Sequence, residues 1–144
     1  MKFKHGTRRR AAEYEKDWVQ RWKEDGTFNK SIAQRPADNS WVFYDGPPFL
    51  TGTPHHGHLL VSTVKDTMGR FHTMKGQRVE RRWGWDCHGL PAEVYVEKTL
   101  GISNKKEIGT KISVSDYVKE CRAAMVRTGT EWEDTIERIG RWVE

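Results

Sequence analysis

Cysteine, proline and long apolar runs are all scarce in this chain of 144 residues. Its two cysteines, Cys87 and Cys121, lie in unrelated contexts without framework spacing, which excludes a disulfide-stapled domain and favours a reducing compartment. No stretch approaches the roughly 18 apolar residues that a membrane-spanning helix needs. The basic residues 1–10 lack the apolar run of a secretory signal, and a mitochondrial presequence would normally continue longer without acidic residues. We therefore predict a cytoplasmic protein that has no membrane partner.

Large apolar side chains are nevertheless present, although the mean hydropathy is -0.85. The 7 Trp, 5 Phe and 4 Tyr can organise a core, so the composition excludes a wholly disordered chain. The formal net charge of +5 favours an anionic partner such as a nucleotide or RNA, but a solubilising surface explains so small an excess equally well. The length fits one domain or a piece of a larger one.

Apolar spacing predicts an alternation of helices and strands. A strand followed by a helix and a second strand predicts a parallel pair with a right-handed crossover. The loops that leave the carboxyl ends of such strands meet in one crevice, where ligands bind. The predicted elements are a helix over 10–24, a connection over 29–40, a buried strand over 41–44, an amphipathic helix over 57–75, a strand over 78–83, and helices over 92–100 and 113–139.

The first of these loops is DGPPFLTGTPHHGH, residues 45–58. Gly46 lets the backbone approach a ligand closely, and Pro47 with the proline after it stiffens the exit from the strand. His55 and His58 lie at positions i and i+3 at the start of the next helix and share a face. A helix N-terminus attracts anions, and imidazoles beside it can donate to phosphate oxygens, which suits a triphosphate.

The second loop is GWDCHGLPAE, residues 84–93. Asp86 is a lone acid beside Trp83 and Trp85, and its carboxylate could balance a substrate ammonium. From local sequence alone, a role in stabilising the turn is equally open for Asp86. A zinc site is a further alternative, since imidazole and thiolate are suitable ligands, but its spacing fits no familiar finger. Its ligands would be His55, His58, Cys87 and His88.

The segment PHHGH, residues 54–58, resembles the His-Ile-Gly-His signature of class I aminoacyl-tRNA synthetases. Four further segments are similar, in order and separation, to isoleucyl-tRNA synthetases; they are DGPPF, KD at 65–66, RRWGWDCHGLPAE and EKTLGI. The isoleucyl rather than leucyl or valyl resemblance rests chiefly on residues 85–91 and 45–48. The resemblance covers about residues 18–142.

This resemblance implies an α/β fold, namely the first half of a Rossmann-like nucleotide-binding domain with parallel strands and flanking helices. That half would span residues 41–144, and residues 1–40 would form an N-terminal helical extension and connection. The implied activity is ATP-dependent activation of isoleucine and its transfer to tRNA(Ile). Mg²⁺ would accompany the ATP, and no resident metal is implied.

Roles for individual residues follow from the resemblance by position. The histidines of the signature would stabilise charge on the α-phosphate, while its glycine leaves room for adenine. The implied ATP-binding residues are His55, His56, Gly57 and His58, with His55 and His58 catalytic. The implied amino-acid-binding residues are Gly46, Pro47 and Asp86. No protein nucleophile is needed, because positioning and electrostatics assist an in-line displacement.

Two departures from the family pattern qualify these expectations. Leu50 and Thr51 replace a commonly smaller pair, and the chain lacks the editing domain, the second half-fold and the anticodon-binding domain. We therefore expect an N-terminal piece of the catalytic domain that binds ATP weakly, has little activity alone, and associates with the remainder or with itself. The alternatives are a non-catalytic paralogue that binds RNA or a protein, and a small stand-alone nucleotidyltransferase.

Overall fold

Five α-helices occur in the part of the chain that this computed structural model describes, residues 6, 8–49 and 52–144. They are α1 Ala11–Glu24, α2 Thr27–Ala33, α3 His56–Met74, α4 Leu90–Thr99 and α5 Val114–Arg138. The four predicted helices are confirmed, with ends within two residues of those expected. Ser113 caps α5 by accepting the Asp116 backbone N–H on its Oγ at 3.0 Å. No described helix is long and apolar enough to cross a membrane.

Helix α2 was not predicted, and the expected connection over 29–40 is therefore wrong in its first part. Gly26 precedes α2 with a φ of 60°, a left-handed conformation that glycine adopts without strain. Seven residues show too little periodicity for a helix to be recognised, and so short a helix depends on tertiary contacts. Arg35 supplies one of them, because its guanidinium donates to the Thr73 carbonyl oxygen at 2.8 Å, while a local bond to the Ser31 carbonyl oxygen at 2.6 Å holds it at the end of α2.

The two predicted strands are extended segments and do not form regular strands in the described residues. Isolated parallel bridges join residues 40–49 to residues 78–86, at Ser40 with Arg78 and at Phe49 with Asp86. The expected parallel pair of strands is thus not confirmed. Part of the physical reason is the proline pair at 47–48, which has no N–H to give to a ladder.

The opposite edge of the second extended segment bonds to the last residue of the chain. Trp83 donates its backbone N–H to the Glu144 carbonyl oxygen at 2.7 Å, and Glu144 donates to the Arg81 carbonyl oxygen at 3.0 Å. This alternation of donor and acceptor about one residue is the parallel pairing pattern. Segment 78–86 therefore has a backbone partner on both sides.

Burial corrects the prediction for the first segment. Residues 41–44 were expected to be a buried strand, but Val42 is 68% exposed and Tyr44 is 93% exposed. The second segment is the buried one, with Val79 only 1% exposed. The main core lies between α4 and α5, around Val96, Met125, Trp132 and Ile136.

Helix α3 has its apolar stripe on the exposed side. Leu60, Val64, Met68 and Phe71 follow the predicted spacing, yet each is more than a third exposed. The buried positions of α3 are the small residues Ser62, Gly69 and Thr73, which allow other segments to approach the helix closely. At Gly69 an added Cβ would lie 2.5 Å from Arg81 Nε, so that glycine leaves space for an arginine side chain.

Candidate active site

The start of α3 is closed by its own histidines. His55 is the N-cap residue, and its Nδ1 accepts the Gly57 backbone N–H at 3.1 Å. His58 returns the interaction, because its Nδ1 accepts the His55 backbone N–H at 3.2 Å. This is the reciprocal arrangement of a capping box, with imidazoles in place of the usual hydroxyl and carboxylate.

The capping bonds define which ring nitrogen can serve a ligand. A neutral imidazole has one donor and one acceptor nitrogen, and in both histidines Nδ1 is occupied as the acceptor. The proton of each neutral ring therefore resides on Nε2, which is the nitrogen left to donate. The two rings stack with centroids 3.7 Å apart, so they form one paired unit at the helix start. A helix N-terminus with two such donors is suited to an anionic oxygen.

Partial burial lowers the pKa of His58 below 6.5, and repulsion from His55 lowers it further.

Gly57, which lies between the two histidines in sequence, has a structural reason to be glycine. An added Cβ at residue 57 would lie 3.0 Å from His55 Cε1 and 3.1 Å from its Nδ1. The glycine thus provides the space in which the His55 ring folds back onto the helix.

Trp132 of α5 connects the histidines to the second loop. It is 2% exposed and donates its indole N–H to the Gly52 carbonyl oxygen at 2.8 Å. Its ring centroid lies 4.7 Å from that of His58 and 6.2 Å from that of Trp85, the residue before Asp86. The two predicted site loops therefore meet across a single buried side chain.

The expected amino-acid-binding residues lie on adjacent segments. Asp86 donates its backbone N–H to the Pro48 carbonyl oxygen at 2.9 Å, which holds the second loop beside the proline pair. Gly84 lies against the proline pair, since an added Cβ there would be in van der Waals contact with the Cβ of Pro47 at 3.4 Å. Gly46 and Pro47 are exposed, and the Asp86 carboxylate has no side-chain partner within the described residues. Asp86 can thus accept a cationic group.

A charged network that the sequence did not reveal fixes the first loop. The Asp45 carboxylate is only 14% exposed and pairs with both Lys65 of α3 and Arg141 near the end of the chain. Lys65 also donates to the Gly46 carbonyl oxygen at 3.0 Å, and Arg141 donates to Ser62 Oγ at 2.8 Å. Asp45 and Lys65 stood inside the quoted motifs, whereas nothing in the sequence singled out Arg141.

The alternative zinc site is not supported by the arrangement of its four residues. His55 and His58 use their Nδ1 atoms as caps, while Cys87 packs against the apolar core and His88 is exposed. Across residues 6, 8–49 and 52–144, no group of three or more His, Cys, Asp or Glu side chains could hold a metal ion. The unusual pair Leu50 and Thr51 lies outside the described residues.

The histidine-capped start of α3 and the two converging loops all lie within a segment that matches a known family. The family described as tRNA synthetases class I (I, L, M and V) matches residues 17–144, and the chain belongs to this family. Membership implies a Rossmann-like fold.

The curated relatives narrow the resemblance further. The chain is 47% identical to an isoleucine–tRNA ligase of Treponema denticola over 133 residues, which is 92% of this chain and 12% of the relative. It is 48% identical to that of Wolbachia pipientis wMel, over 90% of this chain and 12% of the relative. It is 47% identical to the cytoplasmic isoleucine–tRNA ligase of Caenorhabditis elegans, over 88% of this chain and 11% of the relative. The predicted isoleucyl resemblance is confirmed, and the chain spans about 12% of the length of these relatives.

Proposed function

We propose that this chain supplies the ATP and amino-acid half-site of an enzyme that activates isoleucine and transfers it to tRNA(Ile). The observation that carries the proposal is the link through Trp132 between the His55–His58 pair and the loop that holds Asp86. Both loops belong to the segment that matches isoleucine–tRNA ligases. These relatives do not favour a non-catalytic paralogue or a small stand-alone nucleotidyltransferase.

The ATP would lie at the N-terminus of α3, against His55, His56, Gly57 and His58. Donation from Nε2 of His55 and His58 would stabilise the charge that develops on the α-phosphate. The capping bonds support this role because they hold both rings and leave Nε2 as the donor nitrogen. Mg²⁺ would enter with ATP and offset part of the triphosphate charge, while the residues above orient the α-phosphate.

Isoleucine would bind beside Gly46 and Pro47, with its ammonium on the Asp86 carboxylate. The absence of a side-chain partner for Asp86 among the described residues supports this assignment. The isoleucine carboxylate oxygen would form a bond to the α-phosphorus, and the bond from that phosphorus to the bridging oxygen would break. Pyrophosphate leaves with the electron pair, so no protein nucleophile takes part.

Capping chemistry allows a test that separates folding from binding. His55→Asn keeps an efficient N-cap residue and His58→Gln keeps a capping-box acceptor at the third helical position, but both remove an imidazole. We expect the double variant to have an unchanged circular dichroism spectrum and at least about tenfold weaker binding of a non-hydrolysable isoleucyl-adenylate analogue. Calorimetric titration measures the affinity.

Asp86→Asn should weaken the same analogue comparably, because the ammonium loses its counter-charge. Asp38→Asn, an exposed carboxylate in the 3-10 turn Ala37–Asn39, is the matched control and should bind normally. Equal affinity in all four proteins would overturn the site assignment. The same proposal includes a domain boundary after residue 40, association with the other segments of the enzyme, and transfer of isoleucine to tRNA(Ile). ATP–pyrophosphate exchange measures the activation step.

A further inference from the structure

Three arginine side chains converge around the last turns of α3. Arg35 donates its Nε to the Thr73 carbonyl oxygen at 2.8 Å, and Arg81 donates its Nη2 to the Thr73 hydroxyl at 2.6 Å. Arg70 lies one turn earlier on the same helix. All three guanidinium groups therefore surround one end of α3, a region distant in sequence from the histidine pair.

The positive charge of this group is only partly balanced. Asp66 pairs with Arg70 at 2.6 Å and also accepts the Trp142 backbone N–H at 3.1 Å. It is the single carboxylate that acts on Arg81, while Arg70 and Arg35 both repel that side chain. Burial is the largest influence and, with this repulsion, lowers the pKa of Arg81 to about 10, so the group stays charged at neutral pH.

Aromatic faces supply part of the compensation. The Arg70 guanidinium carbon lies 4.1 Å from the Trp142 ring centroid and 4.9 Å from that of Trp22, and Arg81 lies 5.6 Å from that of Phe28. Each cation–π contact contributes about 0.5–2 kcal/mol, which is small beside the cost of an unpaired buried cation. Three guanidinium groups thus share one carboxylate, several ring faces and the backbone carbonyl oxygens of Ser31, Thr73 and Gly140.

Several buried donors in this region have no acceptor among the described residues. They are Nε and Nη1 of Arg81 and the indole N–H of Trp142. Buried donors are normally hydrogen-bonded, and each unpaired one costs free energy. The imbalance has one direction, since the region has donors and cations in excess and lacks acceptors and anions.

An open cavity of about 660 Å³ lies against this group. Arg35 and Arg70 form part of its wall, with Trp142 beside them, and Lys30 adds a third cation. Asp25 is the one carboxylate among its lining residues, so three cations face a single anion. Arg81 does not line this cavity, but its bond to the Thr73 hydroxyl holds it at the same end of α3.

We propose that this cavity is a phosphate-binding site, separate from the histidine pair, which takes either free phosphate or a phosphodiester of RNA. Arg35 and Arg70 each donate two hydrogen bonds to protein oxygens, and the remaining N–H groups of each guanidinium can donate to an oxyanion. Lys30 supplies a mobile third cation, and the Thr27 hydroxyl on the wall can donate as well. Asp25 offsets one of the three cations on the wall and the Asp66 ion pair offsets Arg70, so one positive charge remains in excess, which matches a phosphodiester or a singly charged phosphate. The inference does not rest on the proposed function.

The test is a calorimetric titration of the whole chain with inorganic phosphate at low ionic strength. Arg70→Gln should weaken phosphate binding at least about tenfold, because a charge-assisted pair of hydrogen bonds is lost. Arg70 also bonds to Asp66, so Lys30→Gln provides a second variant with an exposed side chain and no ion pair among the described residues. Lys30→Gln should weaken binding several-fold.

Two control variants make the outcome decisive. Lys98→Gln removes the same charge from an exposed position on α4 and should leave phosphate affinity within about twofold. In the variant with His55→Asn and His58→Gln, the phosphate binding that Lys30→Gln weakens should persist, which separates this site from the proposed ATP site. No phosphate binding at concentrations on the order of tens of millimolar, or equal effects of Lys30→Gln and Lys98→Gln, would overturn the proposal.

Competition identifies the source of the phosphate. Displacement of phosphate by a short RNA supports a phosphodiester ligand. In that case the slope of the logarithm of the RNA binding constant against the logarithm of salt concentration should fall by about one in Lys30→Gln. Phosphate binding without displacement by RNA supports the free anion. A glutamate oligopeptide that binds more tightly than phosphate, with the same sensitivity to both variants, would identify a protein carboxylate as the occupant and sink the inference.

Discussion

Trp132 donates its indole N–H to the Gly52 carbonyl oxygen at 2.8 Å, which joins the C-terminal part of α5 to the loop before α3. Trp132→Phe keeps most of the aromatic ring but removes this donor and leaves the carbonyl unpaired. We expect a loss of about 1–2 kcal/mol in the free energy of unfolding, measured by urea denaturation. Affinity for the isoleucyl-adenylate analogue should fall as well, because the loop loses its anchor. Unchanged affinity would show that the loop is held by other contacts.

The capping role of His58 predicts a pH dependence. Its pKa is lowered in the folded chain, so the neutral ring stabilises the fold above the unfolded value of 6.5, and this contribution is lost as the pH falls through the lower folded value. The unfolding free energy of the native chain should therefore decline more steeply between about pH 6.5 and pH 5 than that of His58→Gln, which has a cap that does not titrate. Parallel curves from urea denaturation across this window would contradict the prediction.

Gly57 and Gly129 make a matched pair for helix glycines. An added Cβ at Gly129 meets nothing within 4 Å, so Gly129→Ala should stabilise α5 by about 1 kcal/mol. At Gly57 an added Cβ would displace the His55 ring, and losing that cap costs about 1 kcal/mol. This cost offsets the gain in helix stability from alanine. We expect Gly57→Ala to leave stability nearly unchanged while it weakens ATP binding. Thermal unfolding compares the two variants, and an equal gain in both would show that His55 moves aside at no cost.

The Asp45 network should contribute more to the free energy of unfolding than an exposed ion pair does. Asp45→Asn leaves Lys65 and Arg141 without their shared carboxylate, and the Arg141 side chain is only 7% exposed. We expect a loss of about 2–3 kcal/mol in the free energy of unfolding. Glu137→Gln breaks the exposed pair with Lys23 and should cost less than about 1 kcal/mol. Chemical denaturation decides, and comparable losses in the two variants would refute the special role of Asp45.

The exposed stripe of α3 predicts self-association of the isolated chain. Leu60 and Val64 are 67% and 56% exposed and belong to a continuous apolar face, which is uncommon on a monomer. Replacing both by Gln should shift the sedimentation profile towards monomer at concentrations on the order of 100 μM. Val126→Gln, a change at an apolar α5 residue that is 77% exposed, serves as the control and should have little effect. A monomeric native chain at that concentration would disprove the association.

The sequence was informative wherever a signal was local. Helix periodicity gave α1, α3, α4 and α5, and the histidine spacing placed the pair at a helix start. Helix α2 was missed because so short a helix depends on tertiary contacts such as the bond from Arg35 to the Thr73 carbonyl oxygen, which joins segments far apart in sequence. The parallel pair of strands was not confirmed for a related reason, since apolar runs do not reveal whether a partner segment can complete a ladder.

What the sequence determined by itself was the family, the order of helices and the residues that occupy the two loops. The tertiary structure decided how these parts meet. Only packing brings Trp132 between His58 and Trp85, joins Arg141 to Asp45, and turns the apolar stripe of α3 outward while Gly69 faces Arg81. The physical reason is that periodicity records which side chains share a face, whereas burial and charge pairing depend on which distant segment lies against that face.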